Sequence, residues 1–330
     1  MVNLQRYFEQ FHDSIRIDLE MSRPLREKRD IILDRVRSHL RDSGLPGFKE
    51  LLQGSYAPDM KTGVKPLKAE EYDIDIGLRF SVTEDDYSAS EVRGWVLDAV
   101  EGHTDNVEDR GPCVRVIYAD GYHVDLVSYA VWDDDPGATL YRLAHRENGW
   151  RTADPPGLLQ FVRDVMKAFE GTEDSTTSTN QFRRAVRYVR RWIDENLEIS
   201  ARPCGLAVIV LAAKHLRCTL SPLEGDPNDA ECLRRFCEGI VSEPGRLSAP
   251  KPTPEYEDLL GDFADEQVEA LQVGLRDLAS TIVQAQDEVD PVEGCRLLRS
   301  VLGSDFPVPR KEDTARTTRG PAIVPSSASG

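Results

Sequence analysis

The sequence predicts an α+β protein: a mixed sheet braced by long N-terminal helices, followed by a C-terminal helical lobe. Three observations predict it. Apolar residues alternate at Ile74, Ile76, Leu78 and Phe80, the period of a strand with one buried face. A second alternating stretch, CVRVIYADGYHVDLV from Cys113 to Val127, reads as a hairpin about a two-residue Asp120-Gly121 turn. From about Pro156 onward the pattern turns helical. The expected organisation is a core lobe over 1–156, a helical lobe over 157–309 and a flexible tail over 310–330.

Taken in order, residues 4–19 carry an apolar stripe at Leu4, Phe8, Phe11 and Ile15, which predicts a helix. A second helix starts near Ser22 and Pro24, turns Leu25, Ile32, Val36 and Leu40 inward, and stops near Gly44. A short helix over Phe48–Leu52 is expected to lead into Gly54-Ser55. The 17 residues between Ser55 and Asp73 form a basic loop with Lys61, Lys65 and Lys68. A helix is expected around Ser90–Val100, and Trp132 to Pro156 reads as loop-rich. After a polar break at 171–180, Phe182, Ala185, Val186, Val189 and Ile193 make an apolar stripe. Arg183, Arg184, Arg187, Arg190 and Arg191 lie on the same helix, read either as a solvated basic face or as a field for an anion. Leu206–Leu216 is apolar almost all round and reads as a core helix. Helices at 228–240, 255–284 and 291–302, with a Pro-rich linker SAPKPTPEY, complete the lobe. The segment from Arg310 has a disordered composition.

Composition narrows the function. Apolar residues are 40% and charged residues 30%, an ordinary soluble balance. No apolar run approaches the roughly 20 residues of a membrane span, and no signal-peptide core opens the chain, so a cytoplasmic protein without membrane association is expected. The six cysteines form no close CxxC pair and read as reduced thiols. A net charge of −17 argues against a nucleic-acid backbone as partner, since that affinity comes from Lys and Arg.

Chemistry concentrates between Leu52 and Phe80. Asp73 and Asp75 share the strand face opposite the apolar one, roughly 6.6 Å apart along the strand, close enough to share a metal site. Gly54 and Ser55 offer backbone N–H groups and a hydroxyl to phosphate oxygens. Asp125, on the second alternating stretch, supplies a third carboxylate. Two divalent ions held this way align an attacking and a leaving oxygen in phosphoryl transfer. His123 shares the face of Asp125 and reads as a half-buried structural histidine.

Gly-Ser, then hydrophobic-Asp-hydrophobic-Asp on a strand, then a later strand Asp, resembles the polymerase-β-like nucleotidyltransferases. FHDSIRIDLEMSRPLREKRDIILDRV before the motif, with QFRRAVRYVRRWID, PCGLAVIVLAAKH and VLGSDFPVP after it, resembles the bacterial cGAS/DncV-like nucleotidyltransferases (CD-NTases) over roughly residues 4–309. The resemblance implies a nucleotidyltransferase core with a helical lobe, and Asp73, Asp75 and Asp125 as catalytic ligands of Mg²⁺ or Mn²⁺. It implies Gln53, Gly54, Ser55, Arg190 and Cys204 as nucleotide contacts. Arg190 stands where the family often has lysine and Cys204 where it often has serine, a weaker donor. Tyr129 or Trp150 would border the nucleotide pocket. ATP, GTP or other NTPs would be condensed to a cyclic di- or trinucleotide used in antiphage signalling. Linear oligonucleotide synthesis and a silent nucleotide sensor are the alternatives. The tail ending in Ser329-Gly330 suits conjugation by an E1/E2-like partner.

Overall fold

A computed structural model describes residues 2–17, 22–54, 57, 60–67, 72–135, 137–222 and 224–310, without the side chains of residues 22, 72, 73 and 135. In chain order the elements are α1 (Gln5–Ile15), α2 (Ser22–Asp42), β1 (Phe48–Gln53), β2 (Tyr72–Phe80), α3 (Ala89–Val100), β3 (Asn106–Asp109), β4 (Val114–Ile117), β5 (Tyr122–Asp135), β6 (Ala138–His145) and β7 (Gly149–Ala153). Six helices follow: α4 (Pro155–Lys167), α5 (Gln181–Asn196), α6 (Gly205–His215), α7 (Asp229–Val241), α8 (Asp265–Asp287) and α9 (Pro291–Leu302). The expected α+β class is what the chain forms.

The sheet has the order β1-β2-β5-β4-β3, with β6 added along the far part of β5 and β7 beyond it. β2 and β5 run parallel, and every other pairing is antiparallel. The one-sided burial of the sheet's strands follows from the alternation. Ile74, Ile76, Leu78 and Phe80 are fully buried and pack, with Val124 and Leu126, against Ile32 and Val36 of α2 and Val92 and Val96 of α3. Both helices cover that one face, so the odd-numbered residues of β2 and β5 face the other way.

Three expectations are corrected. Phe48–Leu52 is not a helix: the whole of β1 pairs antiparallel with β2, Phe48 opposite Phe80 and Gln53 opposite Asp75. Main-chain pairing to an open sheet edge overrides a sequence with helix formers and no clear alternation. Trp132 to Pro156 is not loop-rich but a meander of β5, β6 and β7, its Gly-containing stretches being the turns. Residues 255–264 are not helical; α8 begins only at Asp265.

The helical lobe has its own core, built on α5, α6, α7, α8 and α9. α1 joins that core rather than the sheet's: Phe8 and Phe11 lie 5.3 and 5.5 Å, centroid to centroid, from Tyr188 of α5. Ala57, Met60 and Val64, from the connection between β1 and β2, are buried there as well. Asn180 caps α5 by accepting from Arg183 N at 3.0 Å, and Asp154 caps α4 by accepting from Gly157 N at 2.8 Å. Among the described residues no helix is long and apolar enough to cross a membrane.

Candidate active site

One row of residues crosses four strands. Gln53 of β1 stands opposite Asp75 of β2, Asp75 opposite Asp125 of β5, and Asp125 opposite Arg115 of β4. All four lie on the sheet face away from α2 and α3, and all four line a cavity of about 410 Å³. The opposite wall comes from α4 (Leu158, Leu159), α5 (Arg190), α6 (Cys204, Leu206) and the Lys251–Glu255 segment. The cavity therefore lies between sheet and helical lobe.

Each side chain has a local reason for its place. Gly54 has φ +67, and a Cβ there would lie 1.9 Å from Asp75 Oδ2. Only glycine takes that backbone and lets the chain turn directly over the carboxylate. Asp125 is 5% exposed and is gripped from both oxygens by Arg115, Nε to Oδ1 at 2.7 Å and Nη2 to Oδ2 at 2.5 Å. This fork–fork geometry fixes the plane of the carboxylate. Tyr129 donates its hydroxyl to Gln53 Oε1 at 3.1 Å, and burial pushes its phenol far above the ordinary range. Its ring is part of the wall. Trp150 lies elsewhere, its Nε1 donating to Tyr87 O at 3.0 Å while the ring joins the sheet's core.

The structure thus brings Gln53, Gly54, Asp75, Asp125, Arg190 and Cys204 to one cavity. Asp73 lies two residues before Asp75 in β2, opposite His123; its side chain, like Ser55 and Lys68, falls outside the described residues. Cys204 is the exposed N-cap of α6 and makes no side-chain cap bond, which leaves the first-turn N–H groups of that helix without this partner at the cavity wall.

The arginines of α5 are not one solvated face. Arg184 is wholly buried and bound to Asp229, Nε to Oδ2 at 2.7 Å and Nη2 to Oδ1 at 2.8 Å. Arg187 and Arg191 are buried too. Arg190 alone of the five lines the cavity, and its Nη1 donates to Thr62 O at 2.9 Å.

Sequence reasoning missed Arg115, Thr62, Asp154, Lys251 and Glu255, all on the cavity wall. Arg115 was within reach through the hairpin, but the expected two-residue turn has the wrong register. Gly121 N bonds Tyr118 O and Ile117 pairs with His123. That pairing sets Arg115 against Asp125; a slip of one residue would put it on the other face. Thr62 is fully buried and its Oγ1 has no hydrogen-bond partner among the described residues. Lys251 Nζ lies 2.9 Å from Glu255 Oε1. Both belong to the stretch that composition marks only as a linker.

The donor chemistry at Asp75 and Asp125 fits a hard divalent cation. Two carboxylates on adjacent strands at the same register present oxygen ligands to one cavity, as Mg²⁺ or Mn²⁺ requires. Among the described residues no group of three or more His, Cys, Asp or Glu is arranged to hold a metal ion; Asp73 is the carboxylate that would complete the set.

A parallel β2–β5 pair carrying aligned aspartates, a glycine turn over them and a facing helical lobe make up the candidate site. Residues 48–129 match the family model for the nucleotidyltransferase domain of cyclic GMP-AMP synthase DncV-like proteins. Over those residues the chain is similar to that domain, and its fold is that of the solved structures that follow. Vibrio cholerae DncV cyclic AMP-GMP synthase is similar at 16% identity, with a TM-score of 0.72 over 92% of this chain and 97% of that one. Its 3′-deoxy ATP bound form gives a TM-score of 0.74 at 16% identity, covering 92% and 96%. CdnC from E. coli MS115-1, solved in complex with HORMA-deltaN, is similar at 17% identity with a TM-score of 0.65, covering 92% and 97%.

Proposed function

We propose that this protein is a metal-dependent nucleotidyltransferase that condenses NTPs into a cyclic di- or trinucleotide and releases pyrophosphate. The observation that carries the reading is the row Gln53–Asp75–Asp125 beneath the Gly54 turn, inside an interlobe cavity of about 410 Å³. That volume is of the size that takes a small-molecule ligand.

Asp75, Asp125 and Asp73 would hold the metal ions. Bound there, Mg²⁺ or Mn²⁺ supplies charge neutralisation for the triphosphate and acidifies the attacking ribose hydroxyl. The main-chain turn at Gly54 receives phosphate oxygens beside Asp75, a place where any side chain would run into the carboxylate. Arg190 has no carboxylate partner among the described residues and faces the cavity from the helical lobe, where it neutralises the phosphate tail. The first-turn amides of α6 and the Thr62 hydroxyl, which has no partner among the described residues, offer further donors to the same anion. Asp125, its plane set by Arg115, orients the attacking hydroxyl and takes its proton. The ribose oxygen bonds to the α-phosphorus, the bond to the bridging oxygen of the β-phosphate breaks, and pyrophosphate leaves. A second transfer within the linear product closes the ring. Antiphage signalling is the role that such a product serves in the proposed family.

Incubation with four labelled NTPs and Mg²⁺ or Mn²⁺, followed by phosphatase and chromatography, tests this. A phosphatase-resistant product is expected; a phosphatase-sensitive ladder would mean linear oligonucleotides. The tail beyond Arg310 lies outside the described residues. We propose it as the site of conjugation by an E1/E2-like partner, to be tested by deleting residues 315–330. Synthesis in vitro should persist, while higher-mass conjugates in cells with the neighbouring genes should vanish.

A further inference from the structure

Four arginines of α5 hold one stretch of main chain. Arg183, Arg187, Arg190 and Arg191 follow one another at helical spacing and share a face. Arg183 Nε donates to Met60 O at 3.2 Å, Arg187 Nε to Gly63 O at 3.1 Å and its Nη2 to Lys61 O. Arg190 Nη1 takes Thr62 O at 2.9 Å and Arg191 Nη2 takes Lys65 O at 2.7 Å. Residues 60–65 are thus a strap, laid along α5 by its carbonyls and anchored by Met60 and Val64 in the helical core. It lies between the Gly54 turn at one end and β2 at the other.

Arg187 is the member whose burial needs an explanation. It is 6% exposed and has no carboxylate partner among the described residues, whereas Arg184 has Asp229 and Arg191 has Asp305. Its remaining contact is Nε2 of His12, a fully buried ring from α1. Burial first, and Arg187 second, pull the His12 pKa down to about 3, so the imidazole is neutral and can accept. Burying a guanidinium among carbonyls and an imidazole alone is costly. In return it holds two carbonyls of irregular backbone, Gly63 O and that of Lys61, a residue at φ +44.

We infer that Arg187 is a positioning residue: seated on His12, it fixes the strap, and the strap fixes the Gly54 turn and the Thr62 wall beside Arg190. The effect on substrate rests on the nucleotidyltransferase reading; the fixation of the strap does not. The Lys61 carbonyl that Arg187 holds belongs to the Lys61–Thr62 bond, a trypsin site on an exposed lysine, so strap order can be read without any turnover.

The test is limited trypsinolysis of the full chain, followed at Lys61–Thr62 by mass spectrometry, beside KM and kcat for NTP. Arg187→Lys keeps the charge and loses the fork. His12→Leu removes the acceptor, and His12→Gln restores one. Arg187→Lys and His12→Leu should each speed cleavage at least about tenfold at a similar Tm, and raise KM more than they lower kcat. His12→Gln should stay protected. Unchanged cleavage in Arg187→Lys, or equal lability of His12→Gln and His12→Leu, overturns the proposal. Should Arg187→Lys not fold, the two His12 variants decide it. If the protein proves to turn over no nucleotide, the cleavage rates still do.

Discussion

A methyl group at residue 54 would meet the Asp75 carboxylate and impose a left-handed backbone on a residue with a side chain. Gly54→Ala is therefore expected to cost about 1–3 kcal/mol of stability and to displace Asp75. Activity should fall much further than the Tm shift explains, as paired kinetics and thermal melts would show; full activity would remove Gly54 from the site. His12 gives a pH signature at the same scale. The unfolded chain binds a proton near its ordinary 6.5, while the folded ring resists down to about 3, surrounded by Arg187, Asp174, Arg184 and Arg16. Its contribution is thus complete above 6.5 and is lost as the pH falls towards 3, by up to about 1.4 kcal/mol per pH unit. Denaturant melts across that window should show a flatter slope for His12→Gln than for the parent.

At the scale of elements, α5 separates two kinds of arginine that composition cannot. Arg184→Met strands Asp229 in the core and should cost about 3–5 kcal/mol, seen in urea denaturation. Arg190→Gln should leave Tm nearly unchanged and raise KM for NTP; equal losses in both would mean that the two arginines do the same work. Which arginine does which was not legible, because Asp229 is 45 residues away in sequence and the strap offers carbonyls, which carry no sequence signal. β2 was legible, since a covered sheet face writes period two into the chain. β1 was not: FKELLQ has no such alternation, and its pairing with β2 decides its state. The β6–β7 hairpin did leave a trace, Asn148-Gly149, with Gly149 at φ +65, but the polar run around it read as loop.

At the scale of the whole molecule, the candidate site lies where the two cores meet. The sheet supplies Gln53, Asp75 and Asp125, the helical lobe supplies Arg190 and Cys204, and the β1–β2 connection belongs to both. The carboxylates of the row could be read from the chain, whereas Lys251 and Glu255 could not, since nothing local tells a linker from a cavity wall. α1 likewise packs with the distant end of the chain, Phe11 lying 5.1 Å from Phe306 between ring centroids. The central claim, nucleotidyl transfer at the aspartate row, is tested most directly by continuous measurement of pyrophosphate released from NTPs. The parent is compared with the Asp73→Asn, Asp75→Asn double variant. The parent should release pyrophosphate in step with product, and the folded double variant, stripped of two proposed metal ligands, should release none detectable. A double variant that keeps even about a tenth of the parent rate would contradict the account.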